Sequence, residues 1–218
     1  MKITLMLILI AVIAYGLGNV NGAIITSTHL FRRDIRNVGS GNAGLANFYR
    51  NFGLKGLALV FLIDFGKGFL AAAIGGWLLG LVGEGDAFVS TGKFFAMFCA
   101  ILGHIYPALY RFHGGKGVLC GVACVFCIDW RAGVACMVVF CITIALSRYI
   151  SLGSMLGTAT FPIAAWALDY GGLNVLLGLI CAVVIIFKHR ENIMRIIRHK
   201  EPVFEFKKDV THKLDEDL

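Results

Sequence analysis

A polar segment near the N-terminus carries residue types that bind phosphate groups, and it reads GSGNAGLANFYR from residue 39 to residue 50. Glycines let backbone N–H groups approach an anion without a Cβ in the way; here they are Gly39, Gly41 and Gly44. Neutral donors accompany them: Ser40, Asn42 and Asn47. Arg50 adds a guanidinium suited to bidentate phosphate contact. The segment predicts an anion-binding loop, although a flexible loop with an arginine at the lipid headgroups would show the same pattern.

A second polar segment, GHIYPALYRFHGGKGV, runs from residue 103 to residue 118. Pro107 should bend the end of the preceding helix. Lys116 stands directly before the next apolar run, among the glycines Gly114, Gly115 and Gly117. A lysine beside the free N–H groups of a helix N-terminus is a ready anion site. The segment is not a P-loop, because Tyr110 and Gly117 occupy the positions where that motif needs a glycine and a hydroxyl residue.

The third polar segment, KHRENIMRIIRHKE, spans residues 188–201. His189 and Asn192 are three residues apart, so on a helix they share a face. Taken alone, His189 is more typical of an interfacial histidine than of a base or a ligand. The arginines after residue 194 are typical of a juxtamembrane stretch attracted to anionic lipid.

The rest of the chain is mainly apolar, as expected of a protein that spans a membrane. Of its 218 residues, 58% are hydrophobic and 15% charged, and the mean hydropathy is +0.81, which leaves too little polar surface for a soluble domain. Apolar runs fall at residues 3–29, 55–82, 93–110, 117–129, 132–147, 151–168 and 172–187. The net charge is +7, yet the apolar spans between the basic loops argue against nucleic acid as a partner. The sequence predicts an all-α, polytopic membrane bundle of about seven transmembrane helices.

Charge placement predicts the orientation of this bundle. The first apolar run is interpreted as a retained helix with the N-terminus outside, because the basic residues after it outweigh Lys2. The loops near residues 31–54, 111–117 and 148–151 and the tail then lie inside with most lysines and arginines. The outside turns hold mainly acidic residues: Glu84, Asp86, Asp129 and Asp169. We expect one transmembrane domain over residues 1–200 and a charged cytosolic tail over residues 201–218.

Two clusters inside apolar runs have structural interpretations. Cys120, Cys124 and Cys127 have a spacing used for iron–sulfur clusters, but on a helix the same spacing places three small residues on one face. The apolar surroundings favour the helical interpretation, so no metal site is predicted. Asp64 and Lys67 can pair on one helical face, which lowers the cost of burying either. We expect a structural ion pair that faces the bundle, with a transport site as the alternative.

The polar segments, in this order, resemble the bacterial acyl-phosphate:glycerol-3-phosphate acyltransferase family. Matching stretches are GSGNAGLANFYR (39–50), GHIYPALYRFHGGKGV (103–118), RYIS (148–151) and HREN (189–192). The resemblance implies a seven-helix membrane enzyme without metal or redox cofactor. It would move a fatty acyl group from acyl phosphate to the 1-hydroxyl of sn-glycerol 3-phosphate, giving lysophosphatidate and phosphate, the first acylation of phospholipid synthesis.

The resemblance also implies a set of site residues. The catalytic set would be Ser40, Arg50, Lys116, His189 and Asn192. Substrate-binding residues would be Gly39, Gly41, Asn42, Asn47, Gly114, Gly115, Gly117, Arg148 and Ser151. Glu201 matches a glutamate with a structural role. The implied location is the bacterial inner membrane with the site facing the cytosol, and the implied partners are the two substrates, membrane lipids and the soluble enzyme that makes acyl phosphate.

Two positions depart from the family pattern. Ala46 stands where the family usually has threonine, and Cys120 stands where the lysine loop usually runs on to threonine. The lost hydroxyl at residue 46 removes one potential phosphate donor, so we expect altered substrate affinity rather than loss of function. The alternatives are a transporter or channel for organic phosphate that uses the same basic loops, and a divergent non-catalytic relative.

Overall fold

A computed structural model of the chain describes residues 1–204. Every regular element in this part of the chain is helical. The α-helices are α1 (Lys2–Asn19), α2 (Gly22–Phe31), α3 (Leu45–Phe52), α4 (Leu57–Gly80), α5 (Asp86–Ile105), α6 (Val118–Ile128), α7 (Trp130–Ser147), α8 (Ile150–Ala167), α9 (Gly172–Lys188) and α10 (Arg190–Ile197). The predicted all-α fold is therefore confirmed.

Each of the seven predicted apolar runs contains a helix, but not every helix is long and apolar enough to cross a bilayer. Within residues 1–204, five spans are long and apolar enough: α1 with α2, α4, α5 with the short turn after it, α7 and α8. The pair α9 and α10 passes the same test together but bends by 54°. α6 has only 11 residues, fewer than the roughly 20 that a full crossing needs. The count of seven crossings and the outside N-terminus stay predictions.

The first apolar run is one hydropathic span but not one helix. It breaks at Val20 and Asn21, both of which have extended backbone. The Asn21 side chain then caps α2, because its Oδ1 accepts a hydrogen bond from the N–H of Ile24 at 2.9 Å. The expectation of a single helix over this run is wrong at that point, because an asparagine stabilises a helix start better than a helix interior.

Glycines allow the helices to approach closely, as expected where lipid supplies no hydrophobic drive between helices. A Cβ at Gly18 on α1 would come within 2.4 Å of the Ala100 carbonyl oxygen on α5. A Cβ at Gly68 on α4 would come within 2.3 Å of the Cys120 carbonyl oxygen on α6. The shared face of α6 buries Cys120 and Cys124, as the helical interpretation of the cysteines predicts.

The two ends of the bundle differ chemically. Asp129 accepts hydrogen bonds from Arg131 and from the hydroxyl of Tyr170, which ties α7 to the turn between α8 and α9. Exposed tryptophans lie near this end, at the termini of α4, α7 and α8: Trp77, Trp130 and Trp166. Such rings are typical of the membrane–water interface. The three polar segments meet at the opposite end.

The close approach of α4 and α6 leads to a stability prediction. We expect Gly68→Val to lower the melting temperature of the detergent-solubilised protein, since its new side chain must displace the backbone of α6. Overpacking of this kind costs about 1–3 kcal/mol. Gly66 is the matched control, because it lies on the same helix and a Cβ there meets nothing within 4 Å. Equal melting temperatures for Gly68→Val and Gly66→Val would contradict the packing argument.

Candidate active site

The first polar loop is shaped from within by Asn47, which is buried at the start of α3. Its side-chain amide donates to the carbonyl oxygens of Val38 at 3.0 Å and Asn42 at 3.1 Å. Its Oδ1 accepts from the N–H of Ser40 at 3.1 Å. Gly39 makes the turn possible with φ +61°. The predicted loop exists, but the amide of Asn47 is bonded to the loop itself, so a direct contact of Asn47 with substrate stays a prediction.

Ser40 and Arg50 lie at the surface of this loop and on α3. The Ser40 residue is exposed, whereas Arg50 is partly buried. Burial lowers the pKa of Arg50, and the charge of Arg195 adds to that effect, while the charge of Glu201 opposes it. Arg50 makes no hydrogen bond or ion pair with any residue between 1 and 204 that would occupy its guanidinium. It is therefore a cation held near others and free for an anionic ligand.

The glycines of the second loop serve close packing. The N–H of Gly114 donates to the Ile105 carbonyl at 3.2 Å, and that of Gly115 donates to the His104 carbonyl at 3.1 Å. A Cβ at Gly114 would come within 2.0 Å of the His104 carbonyl oxygen. Gly117 begins the entry into α6 with φ +90°. The N–H groups of Gly114 and Gly115 are thus used within the fold. Anion binding by this loop stays a prediction, and its candidates are the Lys116 ammonium and the start of α6.

Lys116 belongs to a chain of polar contacts that joins three segments. Its ammonium donates to the Oδ1 of Asn192 on α10. The amide of Asn192 donates to Glu201 Oε1 at 2.6 Å, and the hydroxyl of Ser151 donates to the same oxygen at 2.6 Å. Arg195 Nε donates to Glu201 Oε2 at 2.8 Å. The Glu201 carboxylate therefore gathers three predicted site residues: it bonds Asn192 and Ser151 directly, and Asn192 in turn bonds Lys116.

The electrostatics of this cluster favour a bound anion. Burial, together with the charges of Arg195 and Arg50, lowers the pKa of Lys116 to about 8, although the charge of Glu201 acts in the opposite direction. Burial acts to raise the pKa of Glu201, but hydrogen bonds from Ser151, Asn192 and Arg195 outweigh it, so this pKa is lowered. Glu201 therefore stays ionised and offsets only one of the cations around it. The remaining positive charge is what a phosphate group would neutralise.

His189 lies at the junction of α9 and α10, and 2% of its surface is exposed. Its Nδ1 is 2.8 Å from the Ile185 carbonyl oxygen, which can only accept, so Nδ1 carries the proton. Burial lowers the pKa of His189 to about 4, and the charge of Lys116 contributes. At neutral pH the ring is uncharged and its Nε2 is a hydrogen-bond acceptor. This arrangement suits the orientation of a hydroxyl group.

Arg148 and Ser151, two predicted substrate-binding residues, both contact the segment that follows α10. The Arg148 side chain is exposed, and its carbonyl accepts a hydrogen bond from the N–H of Phe204 at 2.8 Å. The Ser151 hydroxyl is engaged by Glu201, so a direct contact of Ser151 with substrate stays a prediction. Residues 201–204 of the predicted tail follow α10, and the tail from residue 205 onward lies outside the described residues.

Sequence reasoning missed the part played by Arg195. It was expected to face lipid, but it pairs with the buried Glu201 and acts on the pKa values of Lys116 and Arg50. The available signal was spacing, because Arg195 follows Asn192 by three residues on α10 and so shares its face. Arg36 was also missed; it donates to the Tyr110 carbonyl at 3.0 Å and so joins the first loop to the second.

The geometry defines a class: a membrane-embedded helical bundle with a cluster of cationic side chains at one end. Residues 8–199 match the family described as "Glycerol-3-phosphate acyltransferase". A relative of that name from Thermoanaerobacter pseudethanolicus is 36% identical over 195 residues, which cover 89% of this chain and 93% of the relative.

Solved structures agree with this match. A crystal structure of PlsY, described as an integral membrane glycerol 3-phosphate acyltransferase in its glycerol 3-phosphate form, superposes with a TM-score of 0.80 and 32% identity, covering 91% of this chain and 96% of that one. Its lysophosphatidic acid form gives a TM-score of 0.78 and 28% identity, covering 91% and 95%. The chain belongs to the glycerol-3-phosphate acyltransferase family and is an integral membrane acyltransferase, as the motifs predicted.

The lowered pKa of Lys116 predicts pH-dependent anion binding. Sulfate keeps its charge near neutral pH, so we expect its affinity to fall as pH rises through about 8, where Lys116 loses its proton. Above that pH the loss approaches about tenfold per pH unit. Lys116→Arg stays charged throughout and should bind sulfate equally from about pH 7 to 9. The sulfate-induced rise in melting temperature measures both. The same pH dependence in both proteins would assign the titration to another group.

Proposed function

We propose that this protein transfers a fatty acyl group from acyl phosphate to the 1-hydroxyl of sn-glycerol 3-phosphate, at the cytosolic face of a bacterial inner membrane. The products are lysophosphatidate and inorganic phosphate. The observation that carries the proposal is the convergence of Lys116, Arg50 and Arg195 around one carboxylate, next to a neutral histidine. The phosphates of both substrates need positive charge nearby. The hydroxyl nucleophile needs a hydrogen-bond acceptor, which the neutral histidine provides.

The chemistry asks little of the protein beyond positioning. Acyl phosphate is an activated mixed anhydride, so attack of the glycerol hydroxyl on its carbonyl carbon forms the ester and breaks the bond to the phosphate oxygen. Arg50 and Lys116 hold the two phosphates, and Ser40 donates a hydrogen bond to one of them. Asn192 orients the Lys116 ammonium through its Oδ1. Charge stabilisation of the departing phosphate is the main catalytic contribution.

The proton of the attacking hydroxyl goes to the leaving phosphate in this mechanism. His189 has its pKa lowered to about 4, so it is a weak base at neutral pH. The departing phosphate is a stronger base than this ring and lies next to the reacting hydroxyl. His189 Nε2 therefore accepts the hydrogen bond of the hydroxyl in the bound substrate and orients it. As the new C–O bond forms, the proton leaves this hydrogen bond and moves to the leaving phosphate oxygen, so His189 does not act as a general base.

The fatty acyl chain of the acyl phosphate needs an apolar environment next to the site. A cavity of about 30 Å³ lies below the site and is lined by apolar residues of α5 to α9. This volume equals about one water molecule, too small for a fatty chain. Lipid-facing side chains surround the bundle, so the acyl chain can remain in the bilayer while its phosphate enters the cationic site. The soluble enzyme that makes acyl phosphate stays a predicted partner.

The decisive experiment is an assay with radiolabelled glycerol 3-phosphate and palmitoyl phosphate, using the purified protein in detergent micelles. We expect labelled lysophosphatidate and one inorganic phosphate per product. Arg50→Gln should reduce kcat/KM by about two orders of magnitude, which corresponds to loss of a charge-assisted contact of about 3 kcal/mol. Lys55→Gln is a control at an exposed basic residue five positions further along the chain, outside the predicted site. Uptake of glycerol 3-phosphate into vesicles without product would support the transporter alternative.

His189→Gln tests the part played by the histidine. Glutamine can place a neutral acceptor near the position of Nε2, so we expect kcat to stay within about tenfold of the original value while KM rises. His189→Ala removes the acceptor and should lower kcat further. A general base would instead show a large loss of kcat in both variants, together with loss of the acidic limb of the pH–rate profile. The two variants therefore separate positioning from proton abstraction.

A further inference from the structure

A second polar cluster lies buried behind the site, between α4, α5 and the break between α1 and α2. The Lys67 ammonium contacts three acceptors: the Val20 carbonyl oxygen at 2.5 Å, Asp64 Oδ1 at 2.8 Å and His104 Nδ1 at 2.8 Å. All three side chains are nearly inaccessible, with 1% exposure for Asp64, 5% for Lys67 and 3% for His104. The predicted ion pair of Asp64 and Lys67 is therefore present, with a histidine as an additional member.

The contacts define the state of the histidine ring. An ammonium group can only donate, so the Nδ1 of His104 accepts and its ring proton lies on Nε2. That edge of the ring faces the second polar loop. A Cβ at Gly115 would come within 2.2 Å of His104 Nε2 and within 2.5 Å of the Ala43 carbonyl oxygen. Gly115, the residue before Lys116, is thus enclosed by His104 on one side and the first loop on the other.

The same cluster reaches the first loop by a second path. Asp64 Oδ1 also accepts from the N–H of Gly22 at 3.0 Å, which fixes the start of α2. The neighbouring Asn21 donates from its side chain to the Ala43 carbonyl oxygen at 3.2 Å. The helix break, the buried cluster and both polar loops therefore form one connected set of contacts. The ions of the cluster lie too deep to touch a ligand in the loops.

We propose that Asp64, Lys67 and His104 are positioning residues that hold the first loop and the Gly115–Lys116 segment at the spacing a bound phosphate requires. His104 is the member that acts most directly, through the ring edge against Gly115. The proposal deepens the proposed function, because it concerns the same site. A buried network with every member bonded gives the rigidity that such positioning needs.

The variant that isolates this effect is His104→Asn. The asparagine amide can occupy the region of Nδ1 and bond Lys67, but it lacks the ring edge that borders Gly115. We expect the melting temperature to stay within a few degrees and sulfate affinity to fall about tenfold, which is about 1.4 kcal/mol. Lys93→Met is the matched control, because Lys93 lies on the same helix and donates to the Cys127 carbonyl at the other end of the bundle. It should leave sulfate affinity unchanged.

A double-mutant cycle decides whether His104 acts through Lys116. In a Lys116→Gln background, where Arg50 still binds sulfate, His104→Asn should weaken sulfate binding by less than about twofold. An equal loss in both backgrounds would overturn the proposal, and so would unchanged sulfate affinity in His104→Asn. Should His104→Asn fail to fold, Asp64→Asn combined with Lys67→Met removes both charges and is measured in the same cycle, with the same criterion.

Sulfate binding does not depend on turnover, so this test is separate from that of the proposed function. Product formation by the unmodified protein together with additive sulfate losses would overturn the positioning proposal and leave the acyltransferase reaction intact. Non-additive sulfate losses without any lysophosphatidate would support the positioning proposal and overturn the acyltransferase reaction. Where both hold, His104→Asn should raise KM for glycerol 3-phosphate more than it lowers kcat, because it displaces a binding group and leaves the reacting atoms unchanged.

Discussion

The structure depends on a constraint of the bilayer, where backbone groups that leave a helix must find partners within the protein. The chain breaks its first span at Val20, and the Lys67 ammonium supplies the partner for the freed carbonyl. A buried ammonium needs a counter-ion, and Asp64 provides it. The break in turn places Asn21 against Ala43 of the first polar loop. The need for hydrogen-bond partners at this helix break therefore helps to fix the position of the first polar loop.

The cationic cluster includes a residue from beyond α10, Glu201. Glu201 is the one buried carboxylate that collects hydrogen bonds from α8 and α10, within the part of the chain that the structure describes. Its charge allows three cations to lie close together without full mutual repulsion, and it is too small a charge to neutralise them. We expect the positive charge that remains to favour the binding of a phosphate group.

Glycine serves two purposes in the polar loops, and the motif letters do not distinguish them. Gly39 and Gly41 have positive φ and permit the turn that Asn47 fixes. Gly114 and Gly115 instead let the second loop press against His104 and the end of α5, with their N–H groups bonded there. A glycine-rich phosphate loop was the expectation for both, yet in the second loop the N–H groups of Gly114 and Gly115 are already bonded to carbonyl oxygens of α5.

The sequence by itself determined the membrane class, the apolar helices, the Asp64–Lys67 pair and the family, because hydropathy, helical spacing and ordered motifs are local properties of the chain. It also marked Lys116 and Asn192 as candidates for one site, and Glu201 as a residue with a structural role. Tertiary structure decided that Arg195 turns from lipid to Glu201, that Asn47 bonds its own loop and that His104 joins the buried pair. Helical spacing shows which side chains share a face but does not identify their partners, and His104 lies 37 residues from Lys67 with no local signal of that contact.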